Sequence, residues 1–455
     1  MTPAAETRGR TRGQAEARTA AFRVLQDVRS GAHADRSAAE HLQALDDRER
    51  SLARELAYGV LRLRGRLDAE LARHVDRPLE ELDPGVLDWL RLGLYQCRET
   101  RIPEHAAVNE TVEGAGRTEG RHVTGLVNAV LRSALRAGEA DPPPLDEDPV
   151  ARLTGWGSHP EWLVRRWLDR WPAGTVESLV EVDNRPPAVT GRVLDGDEDG
   201  VESARRALEG TGVEIRPLDE WSGGFRLVEG DPGELLRRVP RAVIQDPASF
   251  SVVDFVGREP RPPVADLCAA PGTKCVGLAA RREAGSLQVC GDSDRARLEA
   301  VGRAGGRAGA DVRLVAADAR RPALRPASVG TLLLDVPCTG TGTLRRRPGL
   351  RWRQGPDRLR SLVRLQEEIL EGAAPLVESG GLLVYSTCSL EPEENEEQVE
   401  RFLERHPEFR REEPEDGSDL PPGVVDDRGD LRVLPWSRGT DGSYAARLRR
   451  ADRTG

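Results

Sequence analysis

The segment Asp266-Leu-Cys-Ala-Ala-Pro-Gly-Thr-Lys274 joins a short apolar run to a stretch with helical spacing of apolar residues. Its small residues let the backbone approach a ligand closely, and the N-terminus of the following helix favours a negatively charged group. It also holds the only lysine of the chain, since every other one of the 67 basic residues is arginine. A lysine retained in a Pro-Gly turn indicates a position where a compact ammonium fits and a planar guanidinium does not.

Strand-like and helical segments alternate around this turn. The predicted strands are Val264–Cys268, Leu287–Asp292, Val312–Ala316, Val329–Asp335 and Gly381–Ser386. The predicted helices between them are Lys274–Arg282, Asp294–Ala304 and Leu359–Val377. Regular alternation predicts a mostly parallel sheet covered on both faces, a Rossmann-like α/β domain over residues 241–450. Ligands of such sheets bind beyond the carboxyl ends of the strands.

Acidic residues stand at four of these strand ends: Asp266, Asp292, Asp318 and Asp335. An acid at the position of Asp292 can accept hydrogen bonds from both hydroxyls of a ribose. Asp318 is placed to reach an adenine-type ring. With only one glycine in the first turn, the segment is a poor match for a dinucleotide fingerprint. A nucleoside ligand without a pyrophosphate fits better, and S-adenosylmethionine is such a ligand.

Two cysteines also fall at carboxyl ends of strands, Cys338 after the fourth and Cys388 after the fifth. A thiolate can add to carbon 6 of a pyrimidine, which turns carbon 5 into a nucleophile able to take a methyl group. An acid that donates to the ring nitrogen, such as Asp335, would stabilise the charge that develops. The chain has no Cys-x-x-Cys pair or histidine cluster, so we expect no metal and reduced thiols in the cytoplasm. The other cysteines that we expect to be inert packing are Cys97, Cys275 and Cys290.

Charge is distributed unevenly, although the net charge is −10. Counted by segment, residues 1–140 are neutral, 141–260 carry −10, 261–364 carry +11 and 365–455 carry −11. Binding to phosphate depends on the local field, so the basic segment predicts a nucleic-acid contact. Arginines around a tryptophan suit phosphate contacts beside a stacked base. The predicted RNA-binding residues are Arg345, Arg346, Arg347, Arg351 and Trp352.

The rest of the chain predicts further domains. After a disordered tail at 1–14, residues 15–140 have helical periodicity throughout, with helices expected at Ser51–Arg64, Leu67–His74, Val86–Glu99, Ala107–Thr118 and His122–Ala137. An acidic, proline-rich linker at 141–149 precedes a small α+β unit at 150–240. No apolar run could span a bilayer, no secretory signal is evident, and nothing demands more than a monomer.

Several blocks resemble a known family. DLCAAPGTK, LLLDVPCTGTGTLRRRPGLRW and YSTCSLEPEENE resemble the signature blocks of bacterial RNA cytosine-5 methyltransferases, and residues 15–140 resemble the NusB-like domain of the RsmB/Sun branch. The resemblance implies 16S ribosomal RNA as substrate and S-adenosylmethionine as methyl donor. It implies Cys388 as nucleophile and Cys338 as the residue that assists product release. The implied cofactor site comprises Cys268, Ala269, Ala270, Pro271, Gly272, Thr273, Lys274, Asp292, Asp318 and Asp335.

The sequence departs from the family pattern at Thr273, where a second glycine is usual. A β-branched residue can occupy the first turn of a helix, so we expect the site to survive. The acidic run Glu391–Glu400 is expected to cap and solubilise a helix that starts near Asn395, without a catalytic duty. Three alternatives remain open: a DNA cytosine methyltransferase in which the Pro-Cys cysteine attacks, a non-catalytic RNA-binding or antitermination factor, and a small-molecule methyltransferase.

Overall fold

The computed structural model describes residues 3–139, 141–194, 198–414 and 419–452. Its N-terminal domain consists of helices. Six of them share one apolar core, in which the rings of Phe22 and Trp89 stack at 4.8 Å between centroids. The predicted all-helical N-terminal domain is confirmed. Its helices are α1 (Pro3–Arg29), α2 (Ala34–Leu42), α3 (Asp47–Leu71), α4 (Pro84–Glu99), α5 (Glu104–Thr118) and α6 (Thr124–Ala137).

Two boundaries of these helices differ from the prediction. The predicted helices Ser51–Arg64 and Leu67–His74 run together as α3 up to Leu71, and a 3-10 turn covers Ala72–His74. The backbone of α3 leaves helical geometry at Leu63 (φ −106°, ψ 17°). Helix α1 begins at Pro3, inside the segment 1–14 for which a disordered tail was expected; residues 1 and 2 lie outside the described residues. Proline suits a first helical position, because its missing N–H would have no partner there.

The chain packs as two units, and the boundary between them differs from the predicted one. Residues up to Pro186 form the first unit together with the inserted segment Leu344–Gly355, and the remaining residues form the second. The first unit therefore includes part of the expected middle unit 150–240. This part comprises α7 (Pro149–Ala151), a π-helical turn (Arg152–Trp156), α8 (Glu161–Leu168) and α9 (Ala173–Asp183).

A small antiparallel sheet opens the second unit. Its strands are β1 (Thr190–Val193), β2 (Glu214–Pro217), β3 (Gly224–Glu229) and β4 (Ala242–Ile244), in the order β2-β3-β1-β4. Helices α10 (Glu198–Leu208) and α11 (Pro232–Arg238) accompany it. The predicted strands near 189–194 and 224–227 are confirmed, and so is a small α+β unit before the main domain.

The main sheet has five adjacent parallel strands: β5 (Val264–Asp266), β6 (Gln288–Asp292), β7 (Arg313–Ala316), β8 (Val329–Asp335) and β9 (Val377–Thr387). Their order is β9-β8-β5-β6-β7, so the chain reverses direction across the sheet between β5 and β8. Ligands of doubly wound sheets bind at such a switch point, beyond the carboxyl ends of the strands. The accompanying helices are α12 (Pro247–Val256), α13 (Thr273–Arg281), α14 (Arg295–Ala308), α15 (Pro356–Ala373) and α16 (Glu396–Arg405).

Three antiparallel strands that were not predicted extend this sheet. They are β10 (Phe409–Arg411), β11 (Leu431–Val433) and β12 (Ser443–Arg450), with the short helix α17 (Pro435–Arg438) before β12. Strand β12 lies antiparallel to β9, and both β10 and β11 pair with β12. Buried residues fill β12 from Ser443 to Leu448 without alternation, which removes the usual signal of a strand. Among the described residues, none of the helices is both long and apolar enough to cross a membrane.

Candidate active site

The turn after β5 requires glycine at position 272. Gly272 has a φ of 111° and caps α13, and a Cβ there would stand 2.9 Å from the Cα of Val301. A side chain would therefore be excluded both by backbone conformation and by the close approach of α14. Thr273 is the first residue of α13, where a β-branched side chain is tolerated. That the cofactor site survives with threonine at position 273 stays a prediction.

Lys274 connects the turn to the strands on the other side of the switch point. Its Nζ lies 2.8 Å from Oδ2 of Asp335 at the end of β8, and Oδ1 of Asp335 accepts the hydroxyl of Ser386 on β9 at 2.6 Å. Burial opposes the charged ammonium, but the Asp335 carboxylate outweighs it and raises the pKa of Lys274. The charge of Cys388 acts in the same direction.

Asp266 is fully buried at the end of β5. Its Oδ1 accepts the backbone N–H of Cys268 at 3.2 Å, and its Oδ2 has no hydrogen-bond partner among the described residues. Burial, with the negative charge of Asp335 as the second cause, raises the pKa of Asp266 to about 8. An orphaned buried oxygen beside a tight glycine turn fits a site that a polar ligand completes.

The two remaining acids occupy different surroundings. Asp292 is buried at the end of β6, where its Oδ1 accepts the N–H of Asp294 at 2.9 Å. Asp318 follows β7, and its side chain is 41% exposed. The Nε and Nη2 atoms of Arg320 donate to its Oδ2 at 2.9 and 2.7 Å. The Arg320 hydrogen bonds hold the pKa of Asp318 below its usual value. Its role toward an adenine ring stays a prediction.

The two cysteines predicted to be reactive are in contact. Their Sγ atoms lie 3.2 Å apart, and the backbone N–H of Cys388 points at the sulfur of Cys338 at 3.4 Å. The hydrogen bond with Cys388, reinforced by burial, raises the pKa of Cys338 well above its usual value. Cys338 is therefore a neutral thiol at pH 7. Sequence spacing alone placed these residues at the same edge of the sheet, and the structure brings their sulfurs together.

The acidic run after Cys388 is partly internal, so the expectation of a solvated run has to be corrected. Glu391 and Glu394 are fully buried, while Glu397 and Glu400 are exposed. The expected helix near Asn395 is present as α16, which begins at Glu396. The carboxylate of Glu394 is turned toward the loop that follows Cys338, where it accepts the N–H of Thr339 at 2.9 Å. Nothing in the sequence separates this glutamate from its exposed neighbours.

The three cysteines that were expected to be inert packing lie in two different surroundings. Cys275 on α13 and Cys290 on β6 form a disulfide, with Cα atoms 6.5 Å apart. The prediction that all thiols are reduced is wrong for this pair, because helix and strand hold the two side chains face to face at a distance that a disulfide spans. Cys97 is a free, partly buried cysteine of the first unit, and burial raises its pKa to about 11.

The predicted RNA contacts of the inserted segment also have to be corrected in part. Arg351 is fully buried, and its guanidinium donates to the carbonyls of Arg62, Ser158 and Asp183 at 2.9 to 3.1 Å. The indole of Trp352 donates to the carbonyl of Leu61 at 2.6 Å, and Arg345 is buried too. The buried side chains of Arg345 and Arg351 are not available to RNA, whereas Trp352 is partly exposed and its role stays a prediction. Arg346 is partly exposed and Arg347 exposed, so both retain the predicted role as a proposal.

The sheet is doubly wound, and its switch point carries a glycine turn, strand-end acids and a carboxylate oxygen without a partner. This is the architecture of a class I S-adenosylmethionine-dependent methyltransferase. Residues 258–449 match the family described as 16S rRNA methyltransferase RsmB/F, residues 15–136 match the NusB family, and residues 159–232 match the RsmF/B-like ferredoxin-like domain. The chain belongs to the RsmB/F family of ribosomal RNA small subunit methyltransferases.

Relatives of similar length support this assignment. The chain is 34% identical to the probable ribosomal RNA small subunit methyltransferase B of Synechocystis over 96% of its own length and 99% of that protein's length. It is also 34% identical to methyltransferase B of Pseudomonas syringae, over 95% and 96% of the two chains. The crystal structure of PH0851 has the same fold, with a TM-score of 0.77, 24% identity, and coverage of 95% of this chain and 98% of that one.

Proposed function

We propose that this protein methylates carbon 5 of a cytidine in 16S ribosomal RNA through a covalent bond between Cys388 and carbon 6 of the base. The observation that carries the proposal is the contact of two thiols, 3.2 Å apart, beside the Lys274–Asp335 pair at the carboxyl ends of β8 and β9. Two adjacent thiols suit a reaction in which one sulfur adds to the ring and the other helps to reverse that addition.

The surroundings favour Cys388 as the attacking thiol. Its charge raises the pKa of Lys274, and because such an interaction is mutual, the ammonium stabilises a Cys388 thiolate. Cys338 has no such support, since its raised pKa keeps it protonated. A thiolate is the reactive form of cysteine, so the sulfur that interacts with the ammonium is the better nucleophile. We assign to Asp335, through the proton of its hydrogen bond with Lys274, the donation to the ring nitrogen as negative charge develops there.

The same pair explains product release. Formation of the bond between Cys388 and carbon 6 removes the negative charge of that sulfur, and with it one cause of the raised pKa of Cys338. Cys338 can then give up its own proton to solvent, and the resulting thiolate takes the proton from carbon 5. The electron pair of that carbon–hydrogen bond restores the ring double bond, and Cys388 leaves as a thiolate.

The methyl donor would be held by the turn Cys268–Lys274 and by Asp292 and Asp318. Bound S-adenosylmethionine supplies the electrophilic methyl group. The open glycine turn and the unpartnered oxygen of Asp266 are the observations that fit it. Asp292, at the end of the next strand, is the residue that we assign to the ribose hydroxyls.

The test is methyl transfer by wild-type protein and by Cys388→Ala to 16S ribosomal RNA, DNA and free nucleosides. We expect transfer to the ribosomal RNA, mapped to a bisulfite-resistant cytidine, and no transfer by the variant. Cys388→Ala should also form no adduct with RNA that carries 5-fluorocytidine, whose carbon 5 has no proton to lose. Methylation of DNA alone, or an adduct that depends on Cys338 instead, would contradict the proposal and favour a DNA-type enzyme.

A further inference from the structure

The carboxylate of Glu394 lies fully buried between the loops that follow the two reactive cysteines. Its Oε1 accepts the backbone N–H of Thr339 and the side-chain amide of Gln366, both at 2.9 Å. Its Oε2 accepts the hydroxyl of Thr339, and the hydroxyl of Ser389 also donates to the carboxylate. Thr339 directly follows Cys338, and Ser389 directly follows Cys388. One carboxylate therefore holds the residue next to each thiol.

Other hydrogen bonds join the same two loops into one network. The hydroxyl of Ser389 lies 3.0 Å from that of Thr339 and 3.3 Å from that of Thr341. Thr341 accepts the N–H of Leu390 at 2.9 Å, and the carbonyl of Cys388 accepts the N–H of Gly342 at 3.0 Å. Each loop is thus fixed by the other, and Glu394 is the only charged group in this set of contacts.

Burying a carboxylate is costly, which makes its presence informative. Burial raises the pKa of Glu394 although four donors act in the opposite direction. For packing alone, an apolar side chain of similar size would be at least as stable. The carboxylate is distinguished by its acceptor capacity, because it can hold two N–H groups and two hydroxyls from different loops at once. That capacity is needed where the loops must keep a defined separation.

We propose that Glu394 is the positioning residue of both catalytic thiols. It touches neither substrate nor cofactor, and it acts through Thr339 and Ser389 to keep the sulfurs of Cys338 and Cys388 in contact on one side of the bound base. The inference rests on the proposed function, since it assumes that both thiols react with the same base. Misplacement of a reacting group by about 1 Å costs roughly 100-fold in rate.

The experiment compares Glu394→Gln, Glu394→Ala and the matched control Glu397→Gln, an exposed glutamate of α16. Glutamine retains one acceptor oxygen, so we expect kcat for 16S ribosomal RNA to fall about 10-fold in Glu394→Gln and about 100-fold in Glu394→Ala. The KM for RNA and the affinity for S-adenosylmethionine should stay within about twofold, because neither binding surface includes Glu394. Glu397→Gln should match the wild type.

A second measurement separates positioning from folding. The rate of adduct formation with 5-fluorocytidine RNA is measured in a single turnover and expressed per molecule that binds S-adenosylmethionine. We expect this rate to fall with kcat in both Glu394 variants. Thr339→Ser should retain the wild-type rate and Thr339→Val should lose rate, non-additively with Glu394→Gln, since both changes remove the same contact.

Adduct formation at the wild-type rate per cofactor-binding molecule in both Glu394 variants would overturn the inference. So would a loss of RNA affinity with kcat unchanged. Wild type and Cys388→Ser are run in parallel. If the wild type forms no adduct, or Cys388→Ser still methylates, the proposed function itself fails. If only the Glu394 variants behave as wild type, the positioning role alone fails.

Discussion

At the scale of single residues, Lys274 illustrates how burial and a neighbouring charge compete. Burial disfavours its ammonium, while Asp335 at 2.8 Å favours it, and the balance raises the pKa of Lys274. A guanidinium is larger and planar, so it would meet Asp335 in a different geometry. The retention of one lysine in a chain whose other basic residues are arginine is consistent with this contact.

Removal of the Lys274 charge should slow the chemical step. We expect Lys274→Met to lower kcat by about 100-fold, because a buried charge that stabilises a developing anion is worth that much in rate. Without the ammonium a Cys388 thiolate forms only at higher pH, so the acid limb of the pH–kcat profile should move upward. Lys274→Arg should recover only part of the rate. A profile of Lys274→Met that coincides with that of the wild type would show that Lys274 does not act on the thiol.

Replacement of the second thiol, that of Cys338, should trap the covalent complex of protein and RNA. In Cys338→Ala the addition of Cys388 and the methyl transfer can still occur, but the proton on carbon 5 has no thiolate to receive it. We expect RNA to accumulate in covalent linkage to the protein, visible as a band of reduced mobility in a denaturing gel. Cys97→Ala serves as the control, since Cys97 belongs to the other unit. Turnover at the wild-type rate in Cys338→Ala would assign the release step to another group.

At the scale of elements, the inserted segment Leu344–Gly355 packs as a part of the first unit although its neighbours in sequence belong to the second. Arg351 is its buried anchor, and its guanidinium also donates to Oδ1 of Asn184 at 2.8 Å. Burial lowers the pKa of Arg351 to about 10, which still leaves it charged at pH 7. Trp352 packs against the helical core, with the guanidinium of Arg64 over its ring at 4.9 Å.

Loss of the Arg351 guanidinium should destabilise the first unit. Arg351→Met leaves three buried carbonyls and the partly buried amide oxygen of Asn184 without their donor, which we expect to cost about 2–4 kcal/mol of the free energy of unfolding. Thermal unfolding followed by circular dichroism should show the first transition lowered by several degrees, whereas Arg358→Met, an exposed site on α15, should leave it unchanged. Equal stability of the two variants would mean that the observed hydrogen bonds contribute little.

At the scale of the whole molecule, the basic segment 261–364 carries +11 within a chain of net charge −10. Some of that charge is internal, since Arg345 and Arg351 are buried. The field that RNA meets is therefore weaker than composition suggests. Arg346 and Arg347 are the predicted RNA-binding arginines that remain accessible. Both residues directly precede the buried part of the inserted segment, which holds their backbone in place.

Substitution of these two arginines tests the RNA contact. We expect Arg346→Ala and Arg347→Ala each to weaken binding of 16S ribosomal RNA and to reduce the slope of log K against log salt by about one. The measurement is a filter-binding titration at several salt concentrations, with Arg358→Ala as the control. A slope that does not change would assign both side chains to a solvated surface without an RNA partner.

Much of this protein could be predicted locally. Strand–helix alternation located β5 to β9, and the positions of Asp266, Asp292 and Asp335 at strand ends followed from it. Helical periodicity located the N-terminal helices, because amphipathic spacing is a property of neighbouring residues. The edge strands were missed because β12 is buried along most of its length and shows no alternation.

Sequence by itself determined the classes of element, the glycine turn and the two cysteines at strand ends, since each depends on residues within a few positions of one another. Tertiary structure alone decided that Arg351 and Glu394 are internal while Arg347 and Glu397 are exposed. Identical side chains a few residues apart have the same local propensity. Their exposure differs because burial depends on donors and acceptors far away in the chain, such as Arg62 for Arg351 and Thr339 for Glu394.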